Sequence, residues 1–292
     1  MDCKQALIEN KGDMEASVDW LRKKGLSKAA KKSGRVAAEG LIGVAVEGRV
    51  GSVVEVNSET DFVARNDKFQ DMVRQIAKLS LEAGGDLPRL LAMPYPGKTI
   101  SVEDHVREMI ATIGENMSVR RTAELRAGPD GVIVDYVHNR VAEGLGKMGV
   151  LVALESTGDK AKLTDFGRQI AMHIAAAAPL AVTAEDLDAA VIERERKIYE
   201  EQAAATGKPA DIVAKMAEGR LRKEFFQQVV LMQQIFVIDG KSTVEQAVKE
   251  AASSIGAPVK ITGFVRYALG EGIERKEEDF AAEVAAAVSG TR

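Results

Sequence analysis

Gly51-Ser52-Val53-Val54-Glu55-Val56-Asn57-Ser58 and Gly149-Val150-Leu151-Val152-Ala153-Leu154-Glu155-Ser156 are two versions of one pattern: a glycine, a short run of mostly apolar residues and a closing serine. Each follows an earlier apolar run, Leu41 to Val46 in the first half and Val132 to Val137 in the second, so each half offers a β-hairpin. An amphipathic helix comes after each pair. Phe69, Met72, Val73, Ile76 and Ala77 mark its buried face in the first copy, and Phe166, Ile170, His173 and Ile174 in the second. The same order at nearly the same length is an internal duplication. It predicts an α+β fold of two related halves, each hairpin covering its apolar face with its own helix.

Between the halves, Ser101 to Ile113 predicts a helix with Val102, Val106, Met109, Ile110 and Ile113 on one stripe, reached through a Pro-rich loop from Gly84 to Gly97. In the second half, Asp186 to Ala205 is highly charged, with a thin apolar stripe through Leu187, Val191 and Ile198. Thr206-Gly207-Lys208-Pro209 stops it, and Ile212, Val213, Met216 and Leu221 line a second helix. Two helices with so little apolar surface pack mainly on each other, as a protruding helical-hairpin arm. Val229 to Ile238 then reads as a strand, Ser242-Thr243-Val244-Glu245 as a capping box opening a helix that Gly256 stops, Lys260 to Leu269 as a strand, and Asp279 to Val288 as a terminal helix carrying Phe280, Val284 and Val288.

The amino-terminal 25 residues read as two short helices, the second capped by Asp13, running from Met14 to Lys24 and stopped by Gly25. Two helices bury little, so the chain is expected to begin partway through a three-helix module. Arg22, Lys23, Lys24, Lys28, Lys31, Lys32 and Arg35 then crowd one stretch, which reads as a solvated linker helix or as a contact for RNA or an acidic partner. Without interleaved aromatic residues the solvated helix is favoured.

Composition narrows the function. Across 292 residues, 40 Lys and Arg against 44 Asp and Glu leave a formal charge of -4, with no cationic excess to suggest nucleic acid or anionic lipid as the default partner. Cys3 is the sole cysteine, so no intramolecular disulfide forms and a reducing compartment, the cytoplasm, is expected. No apolar run approaches the roughly 20 residues that span a bilayer, and no membrane association is expected.

Catalytic motifs fail on context. Gly144-Leu145-Gly146-Lys147-Met148-Gly149 fits GxGxxG, but a strand follows it where a dinucleotide site needs a helix, and Gly48 to Gly51 occupies the same place in the first copy; a permissive hairpin turn is the simpler reading. Asp165-Phe166-Gly167 lacks the companion motifs of a kinase, and Phe166 belongs to the helix stripe. His105, His138, His173 and Cys3 form no metal-ligand spacing, and no phosphate loop or nucleophile elbow occurs. No cofactor, metal or directly bound nucleotide is expected, and a protein acting by binding is favoured over an enzyme.

The segment Glu59-Thr60-Asp61-Phe62-Val63-Ala64-Arg65-Asn66-Asp67 follows the first repeated strand. Asn66 or Asp67 caps the next helix, leaving Thr60 to Val63 on the connection. Residue physics alone favours Phe62 folding back into the core and Asp61 making a local turn hydrogen bond. Thr60-Asp61-Phe62-Val63, however, resembles the TDFV signature of the elongation factor Ts family. The resemblance continues in order through Asp2-Cys3-Lys4, Lys28 to Lys32, Gly34 to Gly40, Ile113-Gly114-Glu115-Asn116, Met172 to Ala176, Gly207-Lys208-Pro209 and Gly270-Glu271-Gly272, over nearly the whole chain.

The resemblance implies a UBA-like helical module at residues 1–25 lacking its first helix, a basic linker at 26–38, core subdomains at 39–127 and 128–270, a coiled-coil arm at about 184–226 and a carboxy-terminal helical module at 271–292. It implies elongation factor Tu as partner, with Asp61 disturbing the magnesium environment of that GTPase, Phe62 wedging into an apolar slot between its helices, and Thr60 and Val63 holding the loop. Met172 and His173 become candidate contacts elsewhere on the GTPase, with internal packing an equal alternative for His173. Ile235 stands where many members have proline. The competing functions are a ribosome- or RNA-associated protein using residues 22–35 and an uncharacterised enzyme.

Overall fold

The computed structural model describes residues 2–274. Its strands are β1 (Glu39–Glu47), β2 (Val50–Ser58), β3 (Met117–Arg126), β4 (Gly131–His138), β5 (Leu145–Gly146), β6 (Met148–Glu155) and β7 (Lys260–Ala268). They form two antiparallel sheets, of order β3-β2-β1-β5 and β4-β6-β7. Both duplicated hairpins are present. β1 and β2 close on Gly48-Arg49, where Gly48 takes φ +58°, the left-handed region that glycine enters freely. In the second copy the connection from β4 to β6 is longer and lends β5 to the first sheet, pairing Ile42 with Gly146.

The helices are α1 (Asp2–Glu9), α2 (Met14–Lys32), α3 (Asp67–Ala83), α4 (Leu87–Ala92), α5 (Val102–Ile113), α6 (Lys160–Ala177), α7 (Ala189–Ala204), α8 (Ala210–Arg220), α9 (Phe226–Val229) and α10 (Val244–Ile255). α3 lies on the outer face of the first sheet, burying Phe69, Met72, Val73, Ile76 and Ala77 against Leu41, Val54 and Val56. α6 covers the second sheet in the same way, with Phe166, Ile170 and Ile174 against Val150, Val152 and Leu154.

The inner faces meet each other. Ile42, Val44 and Val53 from one sheet pack on Ile133, Leu151 and Ala153 from the other. The central strands are therefore buried on both sides, which is why their sequences are near-continuous apolar runs. Contact is closest at the duplicated glycines. A methyl group at Gly51 would lie 2.7 Å from Ile133 Cγ2 and 2.9 Å from Leu151 Cδ2; one at Gly149 would lie 2.7 Å from both Ile42 Cγ2 and Val44 Cγ2.

Several local expectations are corrected. α2 does not stop at Gly25 but runs on to Lys32, because Gly25 faces α5, where an added Cβ would lie 3.3 Å from the Ala111 Cβ. The glycine serves a close helix crossing there. The Gly84 to Gly97 loop contains α4, capped by Asp86, which accepts from Arg89 N at 2.9 Å, with Pro88 in the first turn. Residues 229–238 form no strand. Leu231 and Phe236 fill the core beneath α6 and α10, while β7 takes the ladder beside β6. The capping box is Thr243 with Gln246, one residue beyond the expected pair, since Ser242 is held by Asp239.

α7 and α8 pack on each other through Tyr199 and Ala217, joined by Leu221 just past α8, with the Arg220 guanidinium 4.3 Å over the Tyr199 ring. The seam runs one residue beyond the expected Ile198, which is exposed. A turn of π-helix, Leu221–Phe225, joins α8 to α9. The expected helix from Asp279 to Val288 lies outside the described residues.

Gly149→Ala drives a methyl group into Ile42 and Val44 from inside a packed core. It should lower stability by about 1–3 kcal/mol, read as a lower urea unfolding midpoint with the slope unchanged.

Candidate functional site

The Glu59–Val63 loop is tied at both ends. On the β2 side, Thr60 donates from its backbone N to Glu115 Oε2 at 2.9 Å and from Oγ1 to Glu115 Oε1 at 2.7 Å, and Ser58 Oγ donates to the Thr60 carbonyl at 3.0 Å. In return Asn116 N donates to Glu59 Oε1 at 2.5 Å. On the α3 side, Val63 and Ala64 enter the core as a turn of 3-10 helix. Asn66 then caps α3, accepting from Lys68 N and Phe69 N at 3.0 and 3.3 Å.

Asp61 and Phe62 sit between these anchors, and both face solvent. Phe62 is 75% exposed, so the expected fold-back into the core does not occur. Asp61 makes no hydrogen bond or ion pair among the described residues, so the expected turn bond is absent too. The next two residues, Val63 and Ala64, enter the core instead. Leaving a phenylalanine in water forgoes about 1.5–3 kcal/mol of burial. An aromatic ring and a free carboxylate on a braced loop suit insertion into a partner rather than bond chemistry.

The structure separates the other two candidates. His173 is wholly buried: Val237 N donates to its Nδ1 at 3.3 Å, so Nε2 carries the proton and donates to Gln234 Oε1 at 2.9 Å. Gln234 in turn donates to the carbonyls of Ala177 and Gln228. Burial pushes the His173 imidazole below its ordinary value, and the Gln234 bond offsets part of that. The histidine thus fixes the Gln234–Val237 segment from within. Met172, next to it on α6, is 42% exposed, and Ile235, Val237 and Ile238 are exposed as well.

The other motifs have structural work. Gly144 takes φ +69° in the turn before β5 and Gly146 lies too close to the His138 carbonyl for a side chain, so the GxGxxG string runs from a turn through β5 into the start of β6. Phe166 and Gly167 pack α6 onto its sheet. Cations of the basic stretch serve internal contacts: Lys32 Nζ donates to the Gly114 carbonyl, Arg35 pairs with Glu59 at 3.5 Å, and Lys24 with Asp2 at 3.4 Å. Sequence reasoning missed Glu115 and Asn116 as loop partners. The only signal was that Ile113 to Asn116 occurred among the ordered family motifs.

A family model described as Elongation factor TS matches residues 59–271, from the loop to the end of the second sheet. The chain is 59% identical over 290 residues to the Elongation factor Ts of Parvibaculum lavamentivorans, of Rhizobium etli and of Bartonella henselae, in each case covering 99% of this chain and 94% of the relative.

Because the folded state holds His173 neutral while the unfolded chain titrates near pH 6.5, its stabilising contribution is complete above that pH and declines as pH falls below it. His105, lowered by burial and by Lys98, acts with the same sign. Urea midpoints measured from pH 7.5 to 5.5 should fall for the parent, and fall less steeply for His173→Gln.

Proposed function

The chain belongs to the elongation factor Ts family, and from that premise we propose that it is a guanine-nucleotide exchange factor for elongation factor Tu, releasing GDP during translation elongation. The observation that carries this reading is the exposed Phe62 beside an Asp61 that has no partner among the described residues, on a loop tied at both ends. Exchange of this kind needs no covalent step. A factor that binds the nucleotide-free GTPase more tightly than the nucleotide-bound form must weaken nucleotide binding by the same factor. Magnesium is the natural lever, since it bridges protein and phosphates.

Phe62 is the anchor, entering an apolar slot between helices of the GTPase, and Asp61 brings a charge that disfavours the bound magnesium. Thr60 and Val63 hold the loop. The second half docks elsewhere on the GTPase through Met172 and the exposed Ile235 and Val237, with His173 acting from beneath them. α7 and α8 form the coiled-coil arm at about 184–226; α1 and the first part of α2 belong to a UBA-like module at 1–25, with α2 continuing into the linker at 26–38, ahead of the core subdomains at 39–127 and 128–270 and the segment 271–292. The protein works in the cytoplasm alongside its GTPase, binding neither nucleotide nor membrane itself.

Release of a fluorescent GDP analogue from elongation factor Tu should accelerate on adding the protein. Asp61→Ala and Phe62→Ala should each reduce that acceleration by roughly tenfold to a hundredfold, as for interface anchors, while leaving the circular dichroism spectrum and unfolding midpoint of the free protein near the parent's. Two folded variants that exchange at the parental rate would remove the loop from the mechanism.

A further inference from the structure

The β2–β3 ladder pairs Ser58 with Met117, its last backbone-paired position at that end. Beyond it the two chains keep the same register, but carboxylates replace the ladder's carbonyl acceptors. Glu59, opposite Asn116, accepts the Asn116 N–H; Glu115, opposite Thr60, accepts both the Thr60 N–H and its hydroxyl. The two glutamates thus extend the ladder by two residue pairs, reciprocally, up to the residue before Asp61. Hydrogen bonds to carboxylates are roughly twice as strong as neutral ones, and a bidentate acceptor also fixes direction.

The segment carrying Glu115 is itself aimed. Gly114 ends α5 in the left-handed conformation at φ +92°, with its N–H on the Ile110 carbonyl. Lys32 from α2 holds the Gly114 carbonyl, and Asn116 Nδ2 donates to the Arg35 carbonyl at 2.7 Å. The clamp therefore rests on two helix ends, and the partner-facing loop inherits their rigidity.

The geometry points to Glu115 as a positioning residue for exchange, one that touches neither nucleotide nor GTPase but holds Thr60 so that Asp61 and Phe62 are presented already ordered. This rests on the exchange reading above and adds to it how the loop is prepared. An unclamped loop must be ordered on binding, at a conformational cost for each residue fixed. That loss falls on affinity for the GTPase.

The test uses the full chain with elongation factor Tu and a fluorescent GDP analogue, titrating the factor to obtain its half-saturating concentration and the maximal release rate. Glu115→Ala should raise the half-saturating concentration about tenfold and change the maximal rate far less. Amide hydrogen exchange of the free variant should quicken at residues 59–64 while β6 and α6 stay protected, which a general loss of stability would not produce. Thr60→Val should raise the half-saturating concentration in the same direction, Thr60→Ser should restore most of that loss by returning the hydroxyl, and adding Thr60→Val to Glu115→Ala should make little further difference.

If the parent accelerates release and Phe62→Ala abolishes it, while Glu115→Ala keeps the parental half-saturation, the positioning role is overturned and the exchange reading stands. If the parent gives no acceleration, the exchange reading fails first. Should Glu115→Ala not fold, the Thr60 pair decides: equal behaviour of the valine and serine variants overturns the clamp.

Discussion

Two sheets touching through glycine set the dimensions of this protein. Gly51 and Gly149 hold the same place in the two copies of the repeat, and each leaves room for aliphatic side chains of the opposite sheet. The contact is reciprocal, as expected when a duplicated unit packs on its own copy: what β2 does to β6, β6 does to the β1–β2 hairpin. Similar glycines recur one layer out. A methyl group at Gly43 would lie 2.9 Å from Val73 Cγ1 on α3, and one at Gly167 on α6 would lie 2.6 Å from Val134 Cγ2. The result is helix, sheet, sheet, helix, with every central strand dry on both faces. A half with only its own helix would leave its inner face in water, so each copy needs the other.

One carboxylate is buried at the rim of that inner layer. Glu55 on β2 is wholly enclosed and receives Arg120 and Arg121 from β3, Asn57 from its own strand and the Gly270 N–H from the end of β7. Burial alone would raise its carboxyl, but the Gly270, Asn57 and Arg121 hydrogen bonds outweigh it and hold the group below its ordinary value. A buried charge of this kind adds little net stability over an apolar substitute. What it supplies is direction, since no apolar residue could select the Gly270 amide and two guanidinium groups together. Glu271, whose carbonyl meets Arg120 and whose carboxylate meets Arg121 and Arg266, completes the link between the two sheets.

Elements whose signal is local were legible in the sequence. The α3 stripe, the α5 stripe, the Gly256 stop of α10 and both hairpins follow from short-range spacings. Two of the misreadings depend on something distant. Gly25 looks like a helix stop until Ala111 is placed beside it. Residues 229–238 have the composition of a strand, yet β7 occupies the available edge of β6. At the site, the loop's position was legible from the Asn66 cap, whereas the outward turn of Phe62 opposes its own hydrophobicity and came only from the family resemblance. His173 was placed on the buried stripe by its spacing, which the structure bears out in its burial; its bonds to Gln234 and Val237 lie about 60 residues away.

Exposure of Phe62 is sustained only because its neighbours are held more firmly than the ring is drawn inward. Val63 and Ala64 fill the core on one side of it, and Thr60 is fixed by Glu115 on the other, so turning the ring into the protein would sacrifice both. The loop thus keeps an unburied apolar ring on a backbone that is already tied on both sides. Its supports come from α2, from the end of α5 and from β2, segments spread over more than 80 residues of chain. A short signature at the tip therefore depends on the packing of the whole first half. That dependence joins the fold to the proposed function, since the stacked sheets hold β2 and β3 in register and the register carries the loop.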